Sequence, residues 1–139
     1  MSANTKVHVH LTASDLEKSK AFYKRLFNTA PVKERPDYAK FLPELGPLNL
    51  AISQGRPESG KTVAGHFGIQ VESSEIVRRE LARVKDAGLA VREEMNHTCC
   101  YANQDKLWVV DPDGVEWEVY HLNYDTQEKD GKAASCCAR

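Results

Sequence analysis

The chain has 139 residues and a mass of 15.6 kDa, the size of one compact domain and too short for two of ordinary dimensions. Apolar residues at 41% and charged residues at 28% supply a core and exclude a disordered or collagen-like polymer. Nineteen basic against twenty acidic residues leave a formal charge of −1, which excludes the basic footprint of a nucleic-acid binder and points to a small partner.

The opening MSANTKVHVH lacks the hydrophobic segment of a secretory signal, and no apolar run approaches a bilayer span. No membrane partner and a cytoplasmic location are therefore expected. Residues 7–11 predict a short strand in which Val7, Val9 and Leu11 alternate with His8 and His10, so both histidines share a face. Ser14, three residues before Glu17, has the spacing of a capping box. Leu16, Tyr23 and Leu26, with Phe22 and Phe27, then give a helical stripe that ends near Asn28. Runs at 30–34, 38–42 and 48–53 predict three strands, separated by Pro36 and by the segment from Pro43 to Pro47. The first half reads β-α-β-β-β.

QGRPESGK, residues 54–61, reads as a polar linker. The pattern then restarts. A strand at 66–71 is followed by Ser73 and Ser74 as N-caps, by Val77, Leu81 and Val84 on one helical face, and by Gly88 as the stop. Runs at 91–95, 107–110 and 115–122 predict three more strands, the last two joined by the turn Asp111-Pro112-Asp113-Gly114. The expected fold class is α+β, with two βαβββ modules, about 5–53 and 63–122, pairing around a shared cavity within a domain over residues 1–123. Residues 124–139 are polar and expected to form a flexible tail.

His8 and His66 occupy matching places in the first strand of each half, and His10 is the rival to His8. Glu118, between Trp117 and Val119 in the last strand, needs an explanation if it points inward, and Glu116 shares its face. The four cysteines form two adjacent pairs, Cys99-Cys100 and Cys136-Cys137, which is not disulfide-framework spacing and suits free thiols in a reducing compartment. Cys99-Cys100 lies in NHTCCYANQDK, expected as a polar loop between strands. Two neighbouring thiolates chelate a soft centre such as As(III) or Cd(II). His97 either lowers a thiol pKa or is simply exposed. Tyr101 and Lys106 are candidates for lining an entrance, with a solvated loop face the favoured role for Lys106. Cys136-Cys137, in the tail, is expected to be dispensable for catalysis.

Up to about Leu122 the chain resembles the vicinal oxygen chelate superfamily, the glyoxalase and extradiol dioxygenase fold. The helix opening DLEKSKAFY selects His8, seven residues before Asp15, and the DPDG turn selects Glu118, four residues after Gly114. His66 in GHFGIQV matches the first strand of the second module. In the first module the place four residues after Gly46 is Leu50, which cannot ligate. Two imidazoles and a carboxylate leave open positions on a metal, an arrangement suited to non-haem Fe(II) and O₂ chemistry. The block TCCYANQDKLWVVDPDGVEWEVY is similar to the ArsI family of carbon–arsenic lyases and related cadmium-inducible proteins. That resemblance implies Fe(II)-dependent, O₂-consuming cleavage of trivalent organoarsenicals, methylarsonous acid giving arsenite and formaldehyde, with aromatic arsenicals also accepted. It implies that Cys99 and Cys100 bind arsenic and that His8, His66 and Glu118 hold iron, and it leaves room for a homodimer; the polar loop that carries the thiols separately suggests gating, a bound arsenical drawing them towards the iron. The competing readings are a soft-metal sequestering protein and an extradiol dioxygenase for catechols, the latter having no use for adjacent cysteines.

Overall fold

A computed structural model describes residues 5–56, 65–99 and 102–125. Their elements run β1 (Val7–Ala13), α1 (Leu16–Phe27), β2 (Lys33–Arg35), β3 (Tyr38–Phe41), β4 (Leu48–Gln54), β5 (His66–Gln70), α2 (Ser74–Asp86), β6 (Arg92–Cys99), β7 (Ala102–Val110) and β8 (Glu116–Asp125). The repeat is borne out as α+β. Each βαβββ copy makes one four-stranded sheet, in the order β1-β4-β3-β2 for the first and β5-β8-β7-β6 for the second. In each, the first strand pairs parallel to the last. The chain divides into two compact units, one comprising Met1–Ala64 with Val110–Val115, the other Gly65–Val109 with Glu116–Arg139.

In the first unit α1 buries Leu16, Ser19, Phe22, Tyr23, Leu26 and Phe27 and packs on β3 and β4. The parallel register sets Leu11 beside Ile52, so the apolar alternates of β1 and β4 share a face while His8 and His10 share the other with Asn49, Ala51 and Ser53. The expected capping by Ser14 is corrected. Asp15, in extended conformation, accepts the Lys18 N–H and caps α1, while the Ser14 hydroxyl donates to Asp113. A carboxylate at the positive helix end outcompetes the hydroxyl one residue earlier. Asn28 closes the helix with φ +50°.

The 111–114 turn belongs to this first unit. The Asp111 carboxylate accepts the N–H groups of Asp113 and Val115, each at 2.8 Å, and the Tyr23 hydroxyl at 2.7 Å. Tyr23 is fully buried against the rings of Phe22, Phe27 and Phe41. The second module as read from sequence therefore lends its turn to the first unit, through polar contacts that apolar periodicity does not register.

In the second unit α2 packs on β8 and buries Val77, Glu80, Leu81 and Val84. Ser73 alone caps it, and Gly88, at φ +88°, follows its end as expected. Two sequence boundaries are corrected. The segment 96–106, expected as a loop, is mostly strand, because its polar residues Asn103, Gln104, Asp105 and Lys106 are buried and the apolar pattern misses them. β8 also runs to Asp125, into the expected tail; residues 126–139, with Cys136 and Cys137, lie outside the described residues.

Candidate functional site

The second sheet has one face toward α2 and one that is unusually polar. On the polar face the register aligns His66 with Glu116 and Gly68 with Glu118. His66 Nε2 stands 3.8 Å from Glu118 Oε1. The other carboxylate oxygen, Oε2, accepts from Lys106 Nζ at 3.1 Å. Glu118 and Lys106 are 8% and 4% exposed, so the solvated loop role expected for Lys106 is corrected: it is a buried counter-charge. Its ammonium lies over Trp108 at 5.5 Å and over Tyr120 at 5.7 Å, a cation–π setting that offsets part of its desolvation. Burial, and then the Glu118 charge, push the Tyr120 phenol upward. The indole of Trp108 meets the His66 ring edge to face at 5.0 Å and carries the Arg92 guanidinium at 5.3 Å.

Gly68 explains how the carboxylate fits. A Cβ there would meet Glu118 Cγ at 2.8 Å, Oε1 at 3.0 Å and Tyr120 Cε1 at 3.3 Å. The missing side chain is the space the carboxylate occupies, the usual meaning of a glycine inside a strand where another group approaches closely.

In the first unit His8 and His10 differ in what engages them. His8 Nδ1 is bonded to the Asn49 carbonyl at 3.1 Å, which fixes the ring and leaves Nε2 for a ligand, the habit of metal-binding imidazoles. His10 Nε2 is held by Ser53 Oγ at 2.8 Å. His8, the histidine that the resemblance selects, is thus held through Nδ1, and His10 through Nε2. The matching of Leu50 to Glu118 is corrected by register: His8 aligns with Asn49 as His66 aligns with Glu116, so the counterpart of Glu118, two residues on, is Ala51. Alanine no more ligates than leucine, and three protein ligands remain the expectation.

The donor set suits a divalent ion. Two ligands each about 2.1 Å from one first-row metal stand at most about 4.2 Å apart, and the 3.8 Å between His66 Nε2 and Glu118 Oε1 lies within that span. Among the described residues no group of three His, Cys, Asp or Glu side chains forms a complete cage; the two donors of the second unit come together by themselves. Glu116 is the competing carboxylate, since its Oε2 is buried without a hydrogen-bond partner among the described residues.

Cys99 ends β6, its backbone paired with Ala102; Cys100 and Tyr101 lie outside the described residues, and so does the expected gating. His97 is half-buried, its Nε2 3.6 Å from Glu94 Oε2. Sequence reasoning missed Gly68 and Trp108 and took Lys106 for a solvated loop residue. Their signals were a glycine inside the strand GHFGIQV and a lysine two residues before a tryptophan, on one strand face.

Residues 6–119 match the family described as Glyoxalase/Bleomycin resistance protein/Dioxygenase superfamily. A protein of Bacillus sp. (strain MD1) named trivalent organoarsenical cleaving enzyme is 47% identical over 131 residues, 94% of this chain and 81% of its own. One of Mycobacterium tuberculosis (strain ATCC 25618 / H37Rv) named cadmium-induced protein CadI is 40% identical over 143 residues, 96% of this chain and 93% of its own. The crystal structure of a glyoxalase/bleomycin resistance protein/dioxygenase from Alicyclobacillus acidocaldarius superposes with a TM-score of 0.67 at 15% identity, covering 88% of this chain and 94% of that one.

Proposed function

The chain belongs to the glyoxalase/bleomycin resistance protein/dioxygenase superfamily, and we propose that within it this protein cleaves the carbon–arsenic bond of trivalent organoarsenicals, using Fe(II) and O₂. In this reading His8, His66 and Glu118 hold the iron, and Cys99 and Cys100 hold the arsenic. The observation that carries it is the near full-length likeness to relatives named for cleaving trivalent organoarsenicals. The approach of His66 and Glu118 over Gly68 supports the metal assignment.

The residues divide the work. Each thiol displaces a hydroxyl from trivalent arsenic as water, so two adjacent sulfurs fix the arsenic and turn an encounter into a near-intramolecular step. Lys106 occupies one oxygen of Glu118 and leaves Oε1 on the His66 side. Bound there, Fe(II) supplies activation of O₂, a chemistry no side chain offers. The reaction balances: methylarsonous acid and O₂ give arsenous acid and formaldehyde, the methyl carbon being oxidised and O₂ reduced. Trivalent aromatic arsenicals are substrates of the same kind. Free thiols of this use need a reducing compartment such as the cytoplasm.

Likeness to cadmium-induced proteins favours one second reading, sequestration of a soft metal without catalysis. Anaerobic loading with Fe(II), then methylarsonous acid and air, separates the two. Release of arsenite and formaldehyde with oxygen uptake is expected; tight arsenical binding without product would establish sequestration instead. Cys99→Ser and Cys100→Ser are each expected to abolish turnover and keep the iron.

A further inference from the structure

β6 is the strand whose register the apolar pattern specifies least. Its sequence, REEMNHTC, is polar on both faces, and such strands slip by one residue easily, turning every side chain over. The pairing is nevertheless definite. Arg92, Glu93 and Glu94 stand opposite Trp108, Leu107 and Lys106, while His97, Thr98 and Cys99 stand opposite Gln104, Asn103 and Ala102. Met95 and Asn96 together therefore face Asp105 alone, a β-bulge.

The bulge changes the parity of the strand. Before it, even-numbered positions share the face of Lys106 and Trp108; after it, register positions 97 and 99 do. That is the face of the Lys106–Glu118 pair and of His66. Without the extra residue, position 98 would pair with Ala102 and position 99 would belong to the opposite face, with Asn103 and Asp105.

Two buried side chains of β7 hold this arrangement. Asp105 Oδ1 accepts the Asn96 N–H at 2.6 Å, and Asn96 sits in the left-handed region at φ +51°, a conformation asparagine tolerates at modest cost. Asn103 Nδ2 donates to Thr98 Oγ1 at 3.1 Å, and its Oδ1 accepts from Asn123 at 2.9 Å, tying the hairpin to β8. We propose that Asp105, seconded by Asn103, is a positioning residue for the arsenic-binding thiol: by pinning the bulge it sets position 99 on the face that carries Glu118. This rests on the assignment of Cys99 to arsenic.

The test reads register and turnover together. In the wild type, cross-strand NMR contacts should join His97 to Gln104. Asp105→Ala should replace them with contacts from Asn96 to Gln104 and lower kcat for a trivalent phenylarsenical about a hundredfold, with Fe(II) affinity unchanged. Asp105→Asn, which keeps Oδ1, should retain both register and turnover. The discriminating variant is Asp105→Ala with Asn96 deleted. Removing the extra residue lets plain antiparallel pairing set His97 opposite Gln104 with no bulge to hold, so turnover should return. Wild-type turnover in Asp105→Ala overturns the proposal, as does a deletion variant with restored register and no recovery. Should Asp105→Ala not fold, Asn103→Ala serves as the second variant, with the same slip and the same loss expected. Cys99→Ser run alongside separates the failures: if it keeps turnover, the thiol assignment itself is wrong; if it loses turnover while Asp105→Ala keeps it, only the positioning role falls.

Discussion

At Glu118 a carboxylate and an ammonium are buried together, and breaking such a pair costs far more than the pair contributes, because one charge is left alone. Lys106→Met should therefore destabilise the metal-free protein by about 3–5 kcal/mol, measured by urea unfolding, and added Fe(II) or Mn(II) should recover much of the loss by supplying the missing positive charge. Equal destabilisation with and without metal would place no ion at Glu118. Glu118→Ala should abolish iron binding while Glu116→Ala leaves it, and the reverse outcome would make Glu116 the ligand. Gly68→Ala pushes directly on Glu118 Cγ and should weaken metal binding about 10–100-fold, as displacing a ligand's supports does. The candidacy of His8, His66 and Glu118 was legible in the sequence because strand position and motif both point to them. Lys106 was not: a lysine amid polar residues reads as solvated until its partner, twelve positions away, is seen against it.

The helices and the apolar strands were legible because apolar residues dominate their buried faces, as in α1, where Leu16, Phe22, Tyr23 and Leu26 recur at helical spacing. Their ends were less so, since capping is decided by local competition. Asp15→Ala should cost about 1 kcal/mol of stability, whereas Ser14→Ala should leave α1 capped, its loss confined to the contact with Asp113. The β7–β8 turn carries a pH dependence. Burial pushes the Asp111 carboxyl above its ordinary value, against the opposing pull of Tyr23, Val115 and Asp113. A carboxyl raised in the folded state stabilises when protonated, so its contribution is present below the unfolded value and is lost as pH rises through the folded one. Asp111→Asn keeps an acceptor for the turn but cannot titrate. Its urea midpoint, relative to wild type, should rise as pH goes from about 3.5 to 7, and a pH-independent difference would show that the carboxyl is not raised.

Across the whole chain the repeat itself was the most legible feature, because each copy sets its histidine seven residues before a helix cap, His8 before Asp15 and His66 before Ser73. The asymmetry of the repeat was legible too, but one residue off: where one copy has Glu118 the other has Ala51, by register rather than by distance from a glycine. If one ion takes ligands from both copies, its binding free energy becomes folding free energy for the entire molecule. Fe(II) at a hundred times its dissociation constant should then add about 2.7 kcal/mol to the unfolding free energy, seen anaerobically as a rise in Tm. Removing a ligand from either copy, by His8→Ala or His66→Ala, should abolish most of that gain, while His10→Ala, which takes away a ring already engaged by Ser53, should keep it. A gain that survives His8→Ala but not His66→Ala would mean that the second copy binds the metal without the first, and that the symmetry of the two histidines is only a record of the repeat.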